Sequence, residues 1–493
     1  MFSYSKIGDD ALLSTTYSDE KWGIMMAYSS KSELAERIRH IENNVIPYFP
    51  YGSQRPEHRT IADHMAYHKT PGISVAVTNN GELEWAKGYG VLESGSLAPV
   101  TTETIFQVCS ISKHVAMAGV LRLIQDGVLA LDEDVNKYLV SWKVPANGTW
   151  QPGVTLRQLL GHTAGLIYNW YRGFRHDEPI PTLLQVLEGR PPANTPPVHV
   201  VTLPGSQFRY SGSHYSVIQQ IMIDVTGKPF PELMRELVFE PLDMSNSSYD
   251  QSYPNTRLQS TAVGHYIDGE PIYGKWRVIP EMAGAGLWTT ASDLARLACE
   301  IQRAHVGKQT VFLKKAIVDE ALTPQISESW GLGVALEGTG TSQRFGHSGD
   351  NIGYKCASTT YVKHGMGAVI LSNADDGNTV VLDLLRTIAQ AYNWPDYISL
   401  HTAIAVDPHV YDVYVGEYKT QFGVSLTVDR KENDLFLAVA RQQPIKLQPS
   451  SETTFFADVV NSEIKFVKSQ TDGTISLLLK QEEQEIPAKK IGI

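Results

Sequence analysis

The chain has 493 residues, 42% of them hydrophobic and 19% charged, with a formal net charge of −11. That length suits two or three domains at roughly 100–200 residues each, and the apolar share rules out a disordered chain. The acidic balance and the absence of any Lys/Arg cluster exclude nucleic acid as a partner, and no apolar run approaches the roughly 20 residues that cross a membrane.

The segment before Lys31 carries acidic residues where a signal peptide needs positive ones, so a cytoplasmic location is expected. Residues 1–50 read as an extension, irregular or partly helical, with helical period from Leu34 through Ile38 and Ile41. The next segment, HKTPGISVAVTNNGELEWAKGYGV, reads as a β-hairpin turning at Asn79-Asn80-Gly81. Just before it, His64 and His68 stand four residues apart, a spacing that puts two metal ligands on one helix face. No third ligand accompanies them, so a solvated helix is expected and no metal. Cys109, Cys299 and Cys356 form no CxxC or CxxH spacing and read as buried free thiols.

FQVCSISKHVAMAGVLRLIQDG follows, with an apolar helical period that begins at Ser110-Ile111-Ser112-Lys113. On a helix, positions i and i+3 share a face about 5–6 Å apart at Cβ. Ser110 is therefore either a capping serine with a solvated lysine one turn on, or a nucleophile with its base. From Thr101 to about Glu300 the chain reads as helical segments and loops, and ASTTYVKHGMGAVILSNAD as a second hairpin turning near His364-Gly365. Strands at both ends with helices between imply an α+β sandwich in which both hairpins join one antiparallel sheet. From Tyr414 on, VSLTV, DLFLAV, IKFV and ISLLLK alternate densely between turns such as Thr471-Asp472-Gly473, the pattern of a small antiparallel barrel. The domains expected are 1–50, 51–397 and 406–493.

Four further segments extend the pattern around Ser110: TLRQLLGHTAGL, LPGSQFRYSGSHYSV, EMAGAGLWTTASDLARLA and RFGHSGDNIGYKCAST. Together they resemble the serine β-lactamase and penicillin-binding-protein superfamily, in the branch of class C β-lactamases, DD-peptidases, D-aminopeptidases and esterases. The resemblance implies that fold, an antiparallel sheet flanked by helices with an inserted helical region, over about residues 60–395. It implies Ser110 as the acylated nucleophile, Lys113 as the lysine of S-x-x-K, Tyr210 as the tyrosine of Y-x-N, and His347-Ser348-Gly349 as the K-T-G or H-x-G strand. It further implies an oxyanion hole of the Ser110 and Asp350 backbone N–H groups, and a substrate cleft at Gly212, Ser348, Gly349 and Asp350. Tyr168, Trp170 and Tyr171 are candidate walls of that cleft, since this loop borders it in the family. The segment from Tyr411 resembles the lipocalin-like barrel of D-aminopeptidase relatives, where it packs near the active site, narrows access or mediates assembly.

The expected activity is acyl-enzyme hydrolysis of amide or peptide bonds, possible at D-residues, on a small-molecule or peptide substrate and with no cofactor. Ester cleavage, acyl transfer or peptide cyclisation would use the same residues. A sensor that acylates and stalls, or a scaffold without catalysis, is the alternative of another class, and a homo-oligomer is left open. Two departures from the family pattern bear on the substrate. Gly212 stands where the motif has asparagine, and Asp350 stands where many relatives have Ser or Thr. A carboxylate there repels a substrate carboxylate, which favours an amine, an amide or a neutral ester, unless Lys355 neutralises it. A histidine at 347 with its ordinary pKa near 6.5 would make activity vary around neutral pH, whereas a neutral histidine there would only position its neighbours.

Overall fold

The computed structural model describes residues 31–46, 59–397, 404–420, 423–440, 444–457, 462–469, 473–481 and 484–492. Readings on the segment before Lys31, on 47–58 and on Thr471-Asp472 lie outside the described residues. The strands of the first part are β1 (Gly72–Asn79), β2 (Glu82–Gly90), β3 (Phe106–Gln107), β4 (Trp288–Thr289), β5 (Ala335–Glu337), β6 (Arg344–Asn351), β7 (Tyr354–Tyr361) and β8 (Gly367–Ser372). The β1–β2 hairpin turns on Asn80 and Gly81, both at positive φ (54° and 79°), as a two-residue turn that follows the strand twist requires. β7 and β8 form the second hairpin. β8 pairs antiparallel with β1, Ile73 opposite Ser372, which closes one six-stranded sheet in the order β2-β1-β8-β7-β6-β5.

Because side chains alternate along a strand, a central strand with both faces covered must be apolar throughout. β1 meets this: Ile73, Val75 and Val77 face one core with Ile370, Val380, Leu384 and Ile388. Ala76 faces the other core with Val369, Val115, Ala118 and Leu294. The helix Gly377–Ala391 covers the first face. The helices Ile111–Gln125 and Ala291–His305 cover the second, and the inserted helical region lies beyond them between β2 and β5. The N-terminal helical reading holds at 31–43, a helix whose Ile41 joins the first core.

His64 and His68 correct an expectation. Their helix, Ile61–Tyr67, is not solvated at this face: His64 and His68 are 2% and 3% exposed. His64 Nε2 lies 2.7 Å from Asp383 Oδ2 and His68 Nδ1 lies 3.0 Å from Asp376 Oδ2. A buried imidazole needs a polar partner, and the Gly377–Ala391 helix and its preceding residue supply one each. Among the described residues, no three His, Cys, Asp or Glu side chains group as metal ligands do.

The C-terminal part is a closed antiparallel barrel of the eight strands β9 (Gly416–Thr420), β10 (Ser425–Lys431), β11 (Asp434–Val439), β12 (Ile445–Pro449), β13 (Thr454–Ala457), β14 (Ser462–Lys468), β15 (Ile475–Gln481) and β16 (Gln484–Gly492). The alternation read from the sequence is the barrel's inside and outside: Leu426 and Val428 point in, Thr427 and Asp429 out. Tyr418, Phe455, Phe466 and Leu477 fill the interior. Among the described residues no helix is long and apolar enough to cross a membrane.

Removing one partner of a buried polar pair leaves the other unsatisfied. Asp383→Ala is therefore expected to lower unfolding stability by about 2 kcal/mol, read as a fall in the urea midpoint. An unmoved midpoint would mean that His64 and Asp383 contribute nothing as a pair.

Candidate active site

The site begins with a strained turn. Cys109, buried, takes a left-handed φ of 54° immediately before Ser110. Such a backbone costs on the order of 1 kcal/mol and persists only where its surroundings fix it. Here the Cys109 thiol donates to the Gln107 and Tyr354 carbonyls at 3.5 and 3.6 Å, and the Ile111 N–H donates to Val108 O at 3.0 Å. The turn leaves Ser110 at the N-cap of Ile111–Gln125 with no side-chain capping bond. Its Oγ instead lies 2.9 Å from Lys113 Nζ. Ser110 thus makes no capping bond, and the lysine one turn on is buried rather than solvated.

Lys113 is 1% exposed. Its Nζ also donates to the Gly284 carbonyl at 2.7 Å, in the EMAGAG segment. Three rings stand around the amine, Tyr210 at 5.1 Å, Tyr171 at 5.5 Å and Tyr215 at 5.7 Å from Nζ to centroid. Tyr210 is half-buried between His162, 4.4 Å away, and His347, 6.1 Å away between centroids. His162 Nδ1 meets His214 Nδ1 at 2.9 Å, so one of the pair donates and the other accepts. The His162 carbonyl accepts from Arg209 N–H at 2.7 Å, which fixes the segment that carries Tyr210.

β6 brings the H-x-G residues. It pairs with β5 only through Gly346, so His347 to Asn351 pass the nucleophile turn on their free side. Gly349 makes that passage close: a Cβ there would meet Cys356 Sγ at 2.5 Å, Val108 O at 2.6 Å and Cys109 Cβ at 2.8 Å. His347 is 6% exposed, its Nδ1 2.5 Å from Ser348 O and its Nε2 without a partner. Burial, and secondly the Lys113 charge, push its pKa down to about 3. Of the two readings of His347, this supports the neutral histidine over one that titrates near neutrality. Asp350 lies opposite Lys355 in the β6–β7 register, with Lys355 Nζ 2.6 Å from Asp350 Oδ1 and 3.3 Å from Asp375 Oδ1. Two carboxylates thus share one ammonium, and Asp350 is paired rather than free.

A small open cleft lies among these groups, and His347 itself does not line it. Of the residues expected from the sequence, Ser110, Lys113, Tyr210, Gly212, Asp350, Tyr168 and Trp170 line it. Ser348 is exposed on the strand face it shares with Asp350, and neither it nor Gly349 lines the cleft. Tyr171, also expected there, lines it too, and so do Asn169, Ala285 and Asn351, which the sequence reading did not single out. Tyr171 is wedged into the wall. Its hydroxyl donates to Gly212 O and lies 3.2 Å from Ser216 Oγ. A Cβ at Gly212 would lie 2.5 Å from Tyr171 Cζ, and one at Gly284 would lie 2.2 Å from Tyr171 Cε2. The ring therefore fills space that a side chain at 212 would need. Among the described residues, those that line the cleft include none from the barrel.

The beta-lactamase family model matches residues 58–393. Penicillin-binding protein 4* of Bacillus subtilis (strain 168) is 23% identical over 440 residues, covering 84% of this chain and 93% of that protein. An octameric penicillin-binding protein homologue from Pyrococcus abyssi has the same fold, with a TM-score of 0.58 at 20% identity over 87% of this chain and 98% of that one. D-amino acid amidase from Ochrobactrum anthropi SV3, solved with D-phenylalanine, has a TM-score of 0.54 at 19% identity over 68% of this chain and 97% of that one.

Two outcomes follow from the geometry. Gly349→Ala is expected to push the nucleophile turn off β6 and cut the rate of fluorophosphonate labelling at Ser110 by about tenfold or more; an unchanged rate would mean that the contact does not position Ser110. Acid should also destabilise the fold. His347 and His214 fall to about 3 and His114 to about 4 in the folded chain, chiefly by burial, from 6.5. Below that ordinary value the unfolded chain binds protons that the folded chain refuses, so stability is full above it and is lost as pH falls. Thermal midpoints should drop from about pH 7 to about pH 5, and less so in His347→Gln.

Proposed function

The chain belongs to the beta-lactamase family, and we propose that it is a serine hydrolase that forms an acyl-enzyme on Ser110 and cleaves amide or peptide bonds. The observation that carries this reading is the Ser110 hydroxyl, unused as a cap and 2.9 Å from a buried lysine amine at the floor of a cleft. Lys113 keeps one N–H on the Gly284 carbonyl and lies within hydrogen-bond reach of the Ser110 hydroxyl, from which it can take the proton once it has given up its own. Oγ attacks the carbonyl carbon while its proton passes to Lys113 and Tyr210, which act as a coupled pair. The backbone N–H groups of Ser110 and Asp350 hold the oxyanion. The pair returns the proton to the leaving nitrogen, the C–N bond breaks, and water then cleaves the ester by the same route in reverse.

The neighbouring carboxylates favour a substrate without a free carboxylate. Lys355 divides its charge between Asp350 and Asp375, so that end of the cleft keeps a net negative charge. The fold likeness to an amidase supports the amide reading. The exposed Tyr168 and Trp170 at the mouth support a second reading, ester cleavage or acyl transfer, because they offer apolar surface without selecting a peptide backbone.

Intact-mass analysis after a fluorophosphonate probe is expected to show one adduct on the wild type and none on Ser110→Ala. An adduct that survives Ser110→Ala would remove the nucleophile, and no adduct at all would favour a scaffold. Lys113→Met should slow labelling by about 10²-fold or more, the usual contribution of a positioned base. Asp350→Ser leaves Lys355 with Asp375 alone and should raise kcat/KM for carboxylate-ended peptides relative to their amides. An unmoved ratio in amide and carboxylate pairs would sink the charge argument.

A further inference from the structure

We propose that Gln219 is a positioning residue for the catalytic lysine: it fixes the turn whose Gly284 carbonyl aims the Lys113 amine at Ser110. The inference rests on the acyl-enzyme reading above and adds a residue that does not itself line the cleft. Among the described residues, Lys113 Nζ has two hydrogen-bond partners, the Ser110 hydroxyl and the Gly284 carbonyl. The first reacts and the second stays in place, so the Gly284 carbonyl sets where the amine points. Gly212, on the segment that carries Tyr210, has no side chain to add a third partner.

Gly284 lies in the four-residue helix Met282–Ala285. One helical turn is too short to hold itself, and its first N–H groups have no partner within it. The residue before it, Glu281, makes no side-chain capping bond. Gln219, buried on the helix Ser213–Thr226, supplies the missing partner from outside. Its Oε1 accepts from Ala283 N–H at 3.0 Å, and its Nε2 donates to Pro280 O at 3.2 Å. A carboxamide carries an acceptor and a donor side by side, which is what bridging an N–H and a carbonyl requires. Inside that bracket, Glu281 O accepts from Gly284 N–H at 3.0 Å and from Ala285 N–H at 3.1 Å. On the far side, Leu287 N–H donates at 3.0 Å to Ser112 Oγ, on the residue before Lys113. The turn is thus held at both ends, and its Gln219 end is tied to the helix that follows Tyr210.

The test is a double-mutant cycle on the rate and the final amplitude of fluorophosphonate labelling at Ser110, with the urea midpoint read alongside. Gln219→Met keeps the bulk and removes both bonds. It is expected to slow labelling by about tenfold while the amplitude stays full. In Lys113→Met there is no amine to aim, so adding Gln219→Met should change the rate by less than about twofold. Loss of folded protein reads differently: it lowers the amplitude and the midpoint, and it acts alike in both backgrounds. If Gln219→Met does not fold, Gln219→Ala is read by the same cycle, since it leaves room for water to answer Ala283 N–H and Pro280 O. An unchanged rate, or a fall of equal size in the two backgrounds, overturns the proposal. Failure of the acyl-enzyme reading is distinct: the wild type then takes no fluorophosphonate at Ser110.

Discussion

The site depends on one buried amine. A lysine Nζ taken out of water must find partners, because an unpaired buried cation or amine costs several kcal/mol. Lys113 has two, the Ser110 hydroxyl and the Gly284 carbonyl, with three tyrosine rings around them. Each partner comes from a different part of the chain. The helix start supplies Ser110, the EMAGAG turn supplies Gly284, and the Tyr210 segment arrives under the His162–His214 pair. Satisfying the amine therefore draws the inserted helical region onto the helix that crosses the sheet.

A second constraint is closeness. The strand with His347 and the turn with Cys109 pass with no room for a methyl group at Gly349. Rigid elements hold both sides, since β6 is bonded along its length to β7 and the turn is bonded through backbone and thiol to its neighbours. Sites placed on such elements keep their geometry better than sites on loops. Asn351 adds a cross-tie, donating to Gln107 Oε1 at 2.8 Å and Ala285 O at 3.3 Å.

Much of this was legible in the sequence because the signals are local. Asn80-Gly81 announces its hairpin, and the period of two along Leu426 to Asp429 announces the barrel. The offset of three positions from Ser110 to Lys113 places both on one helix face. What escaped depends on distant parts of the chain. His64 and His68 read as solvated because Asp376 and Asp383 lie some three hundred residues away, on a helix whose packing is set by the sheet. The neutrality of His347 follows from how deeply it is covered, which no motif states. Asn169 sits in an aromatic stretch with no pattern of its own, and it is fixed beside the Tyr210 segment by distant partners, its N–H donating to Ser211 Oγ and its carbonyl accepting from Gly212 N–H.

The ring of Tyr171 makes the history of this wall directional. It occupies the space beside two glycines at once, at distances that a side chain on either would have to share. A lineage that acquired the ring while a larger residue stood at 212 or 284 would have met a clash, and so would one that later enlarged either glycine with the ring in place. The viable order puts the small residues first and the ring second, and a return begins with loss of the ring. The three positions are thus coupled through one volume, and a change at any one of them carries a different cost in each sequence background.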